Sequence, residues 1–212
     1  MFLVYFAGEL FSSKHLLGNA ALANAIVKAS SGKFNCVLPQ TLEERETTAH
    51  AIRDKDIFTL IGCDLALFNF DGTELDSGTV AEFMFAKFAD IPSLLLRTDF
   101  RRGGDQGEDQ WNLMLSFYPR TRTLAANSMQ IYKNALATGA TPVQAADQLI
   151  NQIADAAVKE FEKLVRLPPA LPNELAEPVF QWLSTMPGFN SVESEQRVKA
   201  AFARKHGNQP EP

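Results

Sequence analysis

Three histidines and two cysteines are all that 212 residues supply of the softer metal-binding side chains. Scattered as they are, they cannot make a zinc-finger pattern. Cys36 and Cys63 both sit in apolar runs and read as small core residues rather than a disulfide or a reactive pair. Positive charge is also scarce. Twenty Lys and Arg against 25 Asp and Glu leave a net charge of −5, which argues against binding a nucleic-acid polymer, because a phosphate backbone needs clustered cations. The one dense basic run, Arg97 to Arg102, includes an Asp. No stretch approaches the roughly 18 apolar residues of a membrane span. The apolar start MFLVYFAGELF lacks a basic leader and a small-residue cleavage site, so it reads as a first strand and the expected compartment is the cytoplasm. Neither GxGxxG nor a Walker pattern occurs, which leaves a Rossmann dehydrogenase or an NTPase with little support.

What is present is a sizeable apolar fraction, 46% of the chain, enough for a packed core. Strand-like and helix-like runs alternate. Phe2 to Ala7, Phe34 to Leu38, Asp64 to Phe70 and Ser93 to Arg97 read as four buried strands. Helices are expected from Ser12 or Ser13 to about Ser30, from Thr48 to Gly62 and from Gly78 to Ala89, with a short one around Gln110 to Ser116. This alternation predicts an α/β fold with a doubly wound, flavodoxin- or Rossmann-like parallel sheet flanked by helices. Thr141, Pro142 and Gln144 form a capping box for a long helix on which Ala146, Leu149, Ile153, Ala157, Phe161 and Leu164 recur at helical spacing. The division expected is residues 1–165 as the α/β domain and 166–212 as a C-terminal extension. In the extension, Leu167 to Pro187 is proline-rich and reads as a surface wrap, and a last helix is expected around Ser191 to Lys205.

The chemistry concentrates in Asp71-Gly72-Thr73-Glu74-Leu75-Asp76-Ser77-Gly78-Thr79-Val80-Ala81-Glu82, four carboxylates where strand three passes into a helix. Ligands of open α/β sheets bind beyond the carboxyl ends of the strands, so these acids lie where a site is expected. Glu82 stands among Val80, Ala81, Phe83, Met84 and Phe85, and a charge in such company calls for a reason. Gly78, one turn earlier, leaves room for a ligand, and the helix N-terminus favours an ionised carboxylate, which is what a nucleophile requires. An ordinary exposed helix Glu is the plain alternative. Asp76 fits a helix cap as well as a substrate contact, Asp71 fits a simple Asp-Gly turn, and Asp56 fits a solvated helix charge. Carboxylates can also hold a hard cation, but there is no EF-hand spacing, and no metal or cofactor is expected.

Taken in order, Tyr5-Phe6-Ala7-Gly8, Leu38-Pro39-Gln40, Asp56 ahead of Cys63-Asp64-Leu65, Asp71-Gly72, Asp76-Ser77-Gly78-Thr79-Val80-Ala81-Glu82 and Trp111-Asn112-Leu113-Met114 resemble the nucleoside 2-deoxyribosyltransferases over roughly Met1 to Leu115. The resemblance implies transfer of 2-deoxyribose between nucleobases, with deoxynucleosides and free nucleobases as partners. In that reading Glu82 is the nucleophile that forms a covalent deoxyribosyl-enzyme. Asp56 is the acid that protonates the departing base, Asp76 helps hold the substrate, and Tyr5 orients the nucleophile. Gln40 contacts the base, and Asn112 reaches the sugar 5′-hydroxyl from a neighbouring subunit of a homo-oligomer. Gly8, Asp71 and Gly78 complete the expected substrate-binding set. Such a reaction passes through an oxocarbenium-like transition state, which needs an ionised nucleophile and a second carboxyl of raised pKa. Glu9 stands where many relatives have proline, and the chain past about Leu124 is longer than the minimal family domain. Two other readings stay open: a 2′-deoxynucleoside 5′-phosphate N-glycosidase that gives the glycosyl group to water, for which Ser12, Ser13 and Arg97 would supply phosphate donors, and a non-catalytic nucleoside- or nucleotide-binding domain.

Overall fold

The computed structural model describes residues 1–42, 48–99, 112–186 and 191–207. Five parallel strands form one sheet: β1 (Phe2–Ala7), β2 (Phe34–Val37), β3 (Leu65–Asn69), β4 (Ser93–Arg97) and β5 (Thr121–Ala125), in the order β2-β1-β3-β4-β5. Four of these match the strands read from the sequence, and the fifth is an addition. The helices are α1 (Ser13–Ala29), α2 (Ala49–Gly62), α3 (Ser77–Phe88), α4 (Ser128–Ala137), α5 (Pro142–Leu164), α6 (Asn173–Thr185) and α7 (Val192–His206).

Alternation along the strands sends two sets of side chains to opposite faces. Val4 and Phe6 of β1, Leu65 and Leu67 of β3 and Leu94 and Leu96 of β4 pack with α1 and α5. Tyr5, Ala7, Ala66, Phe68 and Leu95 point the other way and pack with α2, α3, α6 and α7. Strand order reverses at β1, because β2 is added on one side of it and β3 on the other. The crevice beyond the carboxyl ends of β1 and β3 is therefore the natural ligand position.

The long helix carries its predicted capping box, with Thr141 accepting from the Gln144 amide and Gln144 reaching back to the Thr141 amide. Two expectations are corrected. The segment read as a proline-rich surface wrap contains α6, with Pro178 inside it; burial of Phe180 and Leu183 against the sheet side holds that helix despite the missing backbone donor. The short helix expected around Gln110 is a single 3-10 turn, Leu113–Leu115, and Gln110 and Trp111 lie outside the described residues, as does the Arg101 to Gly107 loop.

Candidate active site

Helix α3 brings the acidic block to the crevice. Asp76 is its N-cap, its Oδ2 accepting from the Thr79 amide at 2.7 Å and the Thr79 hydroxyl at 2.8 Å. Of the two roles open to Asp76, the cap is the one the structure displays. A Cβ added to Gly78 would stand 3.2 Å from Asp76 Oδ2, so the glycine keeps the space beside that carboxylate clear. One turn further on, Phe83 is fully buried and meets Phe68 edge-on at 5.3 Å and Tyr118 at 5.5 Å. Aromatic packing of this kind fixes the rotation of α3 about its axis. That rotation sends the neighbouring Glu82 back over β1.

There the Tyr5 hydroxyl donates to Glu82 Oε1 at 2.6 Å, across 77 residues of sequence. Burial, reinforced by the charge of Glu82 and then of Asp56, pushes the phenol well above its ordinary pKa, so Tyr5 keeps its proton and stays a donor. No described residue donates to Glu82 Oε2. The sequence led us to expect an ionised Glu82 of low pKa. The structure corrects this: burial raises the carboxyl to about 7, the Tyr5 hydrogen bond opposes that rise, and the charges of Asp56 and Asp76 add to it. Desolvation and two like charges outweigh one hydrogen bond. Asp56, half-buried on α2, is thus an electrostatic neighbour of both Tyr5 and Glu82.

The remaining residues of the predicted set are held by other partners. Asp71 follows β3, and its carboxylate accepts from the amides of Thr98 and Asp99 at 2.5 and 2.8 Å and from the Thr98 hydroxyl at 2.6 Å. It ties the ends of β3 and β4 together. Gln40 donates to the Leu16 carbonyl at 3.1 Å and stands 3.5 Å from the Asn19 amide nitrogen, which docks it against α1. Gly8 ends β1 so close to β3 that an added Cβ would lie 3.2 Å from the Asn69 Cβ. Asn112 is exposed, and its Oδ1 accepts from the Met114 amide at 2.9 Å, capping the 3-10 turn. Sequence reasoning missed Thr98 and Asn69. Thr98 could be found only through its pairing with Asp71, 27 residues away.

Arg97, singled out in the sequence as a possible phosphate donor, is buried and donates to the Phe70 carbonyl at 3.2 Å and the Gly72 carbonyl at 2.9 Å. Ser12 caps α1 through the His15 amide. Glu9 in the first loop pairs with His15 at 2.9 Å. A cavity of about 190 Å³ opens between α1 and α5; Asn69, Asp71 and Thr98 at the ends of β3 and β4 line it, and none of Tyr5, Asp56, Asp76 and Glu82 does.

The nucleoside 2-deoxyribosyltransferase family model matches residues 4–114, just over half of the chain. The chain belongs to that family. Membership places it among glycosyl-transfer and N-glycosidase enzymes, and the matched span carries every residue of the site just described. No curated relative matches. Among solved structures, a conserved protein of Enterococcus faecalis V583 is 22% identical, covering 77% of this chain and 98% of its own at a TM-score of 0.48. A 2-desoxiribosyltransferase from Leishmania mexicana is 21% identical, covering 66% and 100% at 0.47. A CMP N-glycosidase of Clostridium botulinum is 14% identical, covering 64% and 98% at 0.42.

Proposed function

We propose that the chain transfers 2-deoxyribose from a deoxynucleoside to a free nucleobase through a deoxyribosyl ester of Glu82. The observation that carries this reading is the Tyr5–Glu82 hydrogen bond at 2.6 Å, which fills Oε1 and leaves Oε2 to attack. The family match is what makes a sugar the electrophile. In the first step Oε2 bonds to the anomeric carbon as the bond to the base nitrogen breaks, and Asp56 delivers a proton to the departing base. In the second step Asp56 takes a proton from the incoming base, whose nitrogen attacks the anomeric carbon and releases Glu82. Two inversions give net retention.

Tyr5 and the neighbouring acids divide the labour electrostatically. Burial, with the charges of Asp56 and Asp76 behind it, disfavours ionisation of Glu82. The Tyr5 donor offsets part of that cost by stabilising negative charge on Oε1. Asp76, while capping α3, keeps its carboxylate beside Gly78 at the mouth and is assigned to the sugar, with Gly8, Gln40 and Asp71 around the substrate.

Asn112 is assigned to the sugar 5′-hydroxyl of a neighbouring subunit in a homo-oligomer. Its surroundings suit such a contact: Leu113, Met114 and Phe117 are 50, 71 and 84% exposed. Apolar side chains this exposed, close in sequence, are typical of a covered surface.

The test is chromatography of the enzyme mixed with a 2′-deoxynucleoside and a different free base. A new deoxynucleoside supports transfer. Free base and deoxyribose alone would make the chain a hydrolase. No change with deoxynucleosides, ribonucleosides or 5′-monophosphates would return it to a binding protein.

A further inference from the structure

The last helix has no part in the chemistry above, yet its final turn is fastened to the elements that carry it. Arg204 Nη1 donates to Asp64 Oδ1, and Arg204 Nη2 donates to the carbonyl of Gly62, the last residue of α2. The next residue, Lys205, donates from Nζ to the Ile61 carbonyl at 2.7 Å. A helix leaves its last carbonyls without partners, and cations placed there are favourable. Here α7 supplies donors to the end of α2 from both side chains.

Asp64 extends the connection. Its second oxygen, Oδ2, accepts from the Leu3 amide at 2.8 Å. Leu3 lies in β1 two residues before Tyr5, and Asp64 directly precedes β3, which leads to Asp71, Asp76 and Glu82. One guanidinium therefore joins α7 to α2, β1 and the start of β3. Further along, Phe180 and Leu183 of α6 and Val198 and Ala201 of α7 share a core with Ile57, Phe58 and Ile61 of α2.

We infer that Arg204 is a positioning residue for the site: through Asp64 and the end of α2 it holds Asp56 in register with Tyr5 and Glu82. This rests on the base-exchange reading for its catalytic meaning, but the geometry stands independently of it. Asp56 is six residues before Gly62, about 9 Å along the helix axis at 1.5 Å per residue. Glu82 is held separately, by Tyr5 and by the packing of Phe83. Freed at its end, α2 shifts against a Glu82 that stays in place. Among the described residues, the charged and titratable groups that act on Glu82 are Tyr5 from β1, Asp56 from α2 and Asp76 at the head of α3, and of these Asp56 alone rides on α2. Displacing it relaxes the repulsion, and the midpoint at which Glu82 ionises falls.

The test uses the full chain with Arg204→Gln and Arg204→Lys. Hydrogen exchange is followed along α2, and the ionisation of Glu82 is followed by carboxyl-carbon NMR, neither of which needs activity. The rate of base exchange is measured alongside. For Arg204→Gln the expected result is exchange in α2 faster by roughly tenfold while β3 and β4 keep their protection. The Glu82 midpoint moves down, and kcat falls roughly ten- to hundredfold with KM for the base little changed. Arg204→Lys, which keeps a cation for Asp64, recovers part of each. An unchanged Glu82 midpoint in Arg204→Gln overturns the inference, and so does faster exchange spread evenly over the sheet, which marks a merely structural residue. If the wild-type chain shows no base exchange while the NMR and exchange changes appear, the positioning holds and the transfer reading fails.

Discussion

Replacing Glu82 by Gln should make the protein more stable above neutrality and leave it nearly unchanged in mild acid. The carboxyl titrates near 7 in the folded chain instead of at its ordinary 4.5, with burial as the largest cause. A raised carboxylate pKa means that the folded state binds the proton more tightly than the unfolded state. Stability is therefore highest below about 4.5 and declines as pH rises through about 7. At about 1.36 kcal/mol per pH unit, the ionised side chain costs the folded state roughly 3 kcal/mol by pH 8, as an upper bound. Gln matches Glu in volume and keeps an oxygen for the Tyr5 hydroxyl, but it carries no charge. The variant should gain up to about 3 kcal/mol over wild type at pH 8, or several degrees in Tm for a chain of this size, and close to nothing at pH 4.5. Urea melts at the two pH values, followed by far-ultraviolet circular dichroism, measure the difference directly. A stability difference that is the same at both would refute the claim that Glu82 is strained by its charge. A variant less stable than wild type at pH 8 would mean that the Tyr5 hydrogen bond outweighs desolvation.

The same site makes further demands. Glu82→Ala should abolish sugar transfer with the fold intact, and circular dichroism of the inactive variant checks the second half. Tyr5→Phe removes the only donor to Glu82 among the described residues, and a hydrogen bond to a charged group contributes about 1.5–3 kcal/mol. Its transfer rate should fall roughly ten- to hundredfold, and the acid limb of the pH–rate profile should move upward; a profile with wild-type midpoints would contradict the role given to the hydroxyl. Asp76→Ala removes the α3 cap, at a cost of about 1 kcal/mol in urea unfolding. Burial pushes both Cys36 and Cys63 up to about 12, so the native chain should react with a disulfide reagent at pH 8 far more slowly than the unfolded chain.

The fold was legible where burial is complete. Strands β1, β3 and β4 are built around apolar runs, and their ends came within a residue or so of the sequence reading. β5 was not legible, because Thr121–Ala125 is an edge strand with no fully buried residue, and its polar Thr-Arg-Thr start carries no apolar run. α4 was hidden for a similar reason: Ala135 is its one buried residue. α6 was misread because Pro172 and Pro178 are loop signals, and the burial of Phe180 and Leu183 that overrides them is a tertiary effect. At the site, Glu82 announced itself as a charge in an apolar helix. Asp56 did not, since in the sequence Asp54-Lys55-Asp56 is an ordinary helix surface, and only the fold sets it near Tyr5 and Glu82.

The error about Glu82 has the most to say about mechanism. Sequence reasoning counted the helix N-terminus in favour of ionisation, because it is local and visible. Its influence fades within the first turn, and Glu82 stands beyond that turn, since Ser77 opens the helix. What decides its ionisation instead comes from other elements: the sheet that buries it, β1 that offers a phenol, and α2 that brings a second carboxylate. A carboxyl poised near 7 is costly to the fold and useful to a glycosyl transfer, because small changes in its neighbours switch it between proton carrier and nucleophile. A sugar whose developing positive charge lies beside Oε2 would tip Glu82 toward the ionised form. The substrate itself would then complete the activation of the carboxylate.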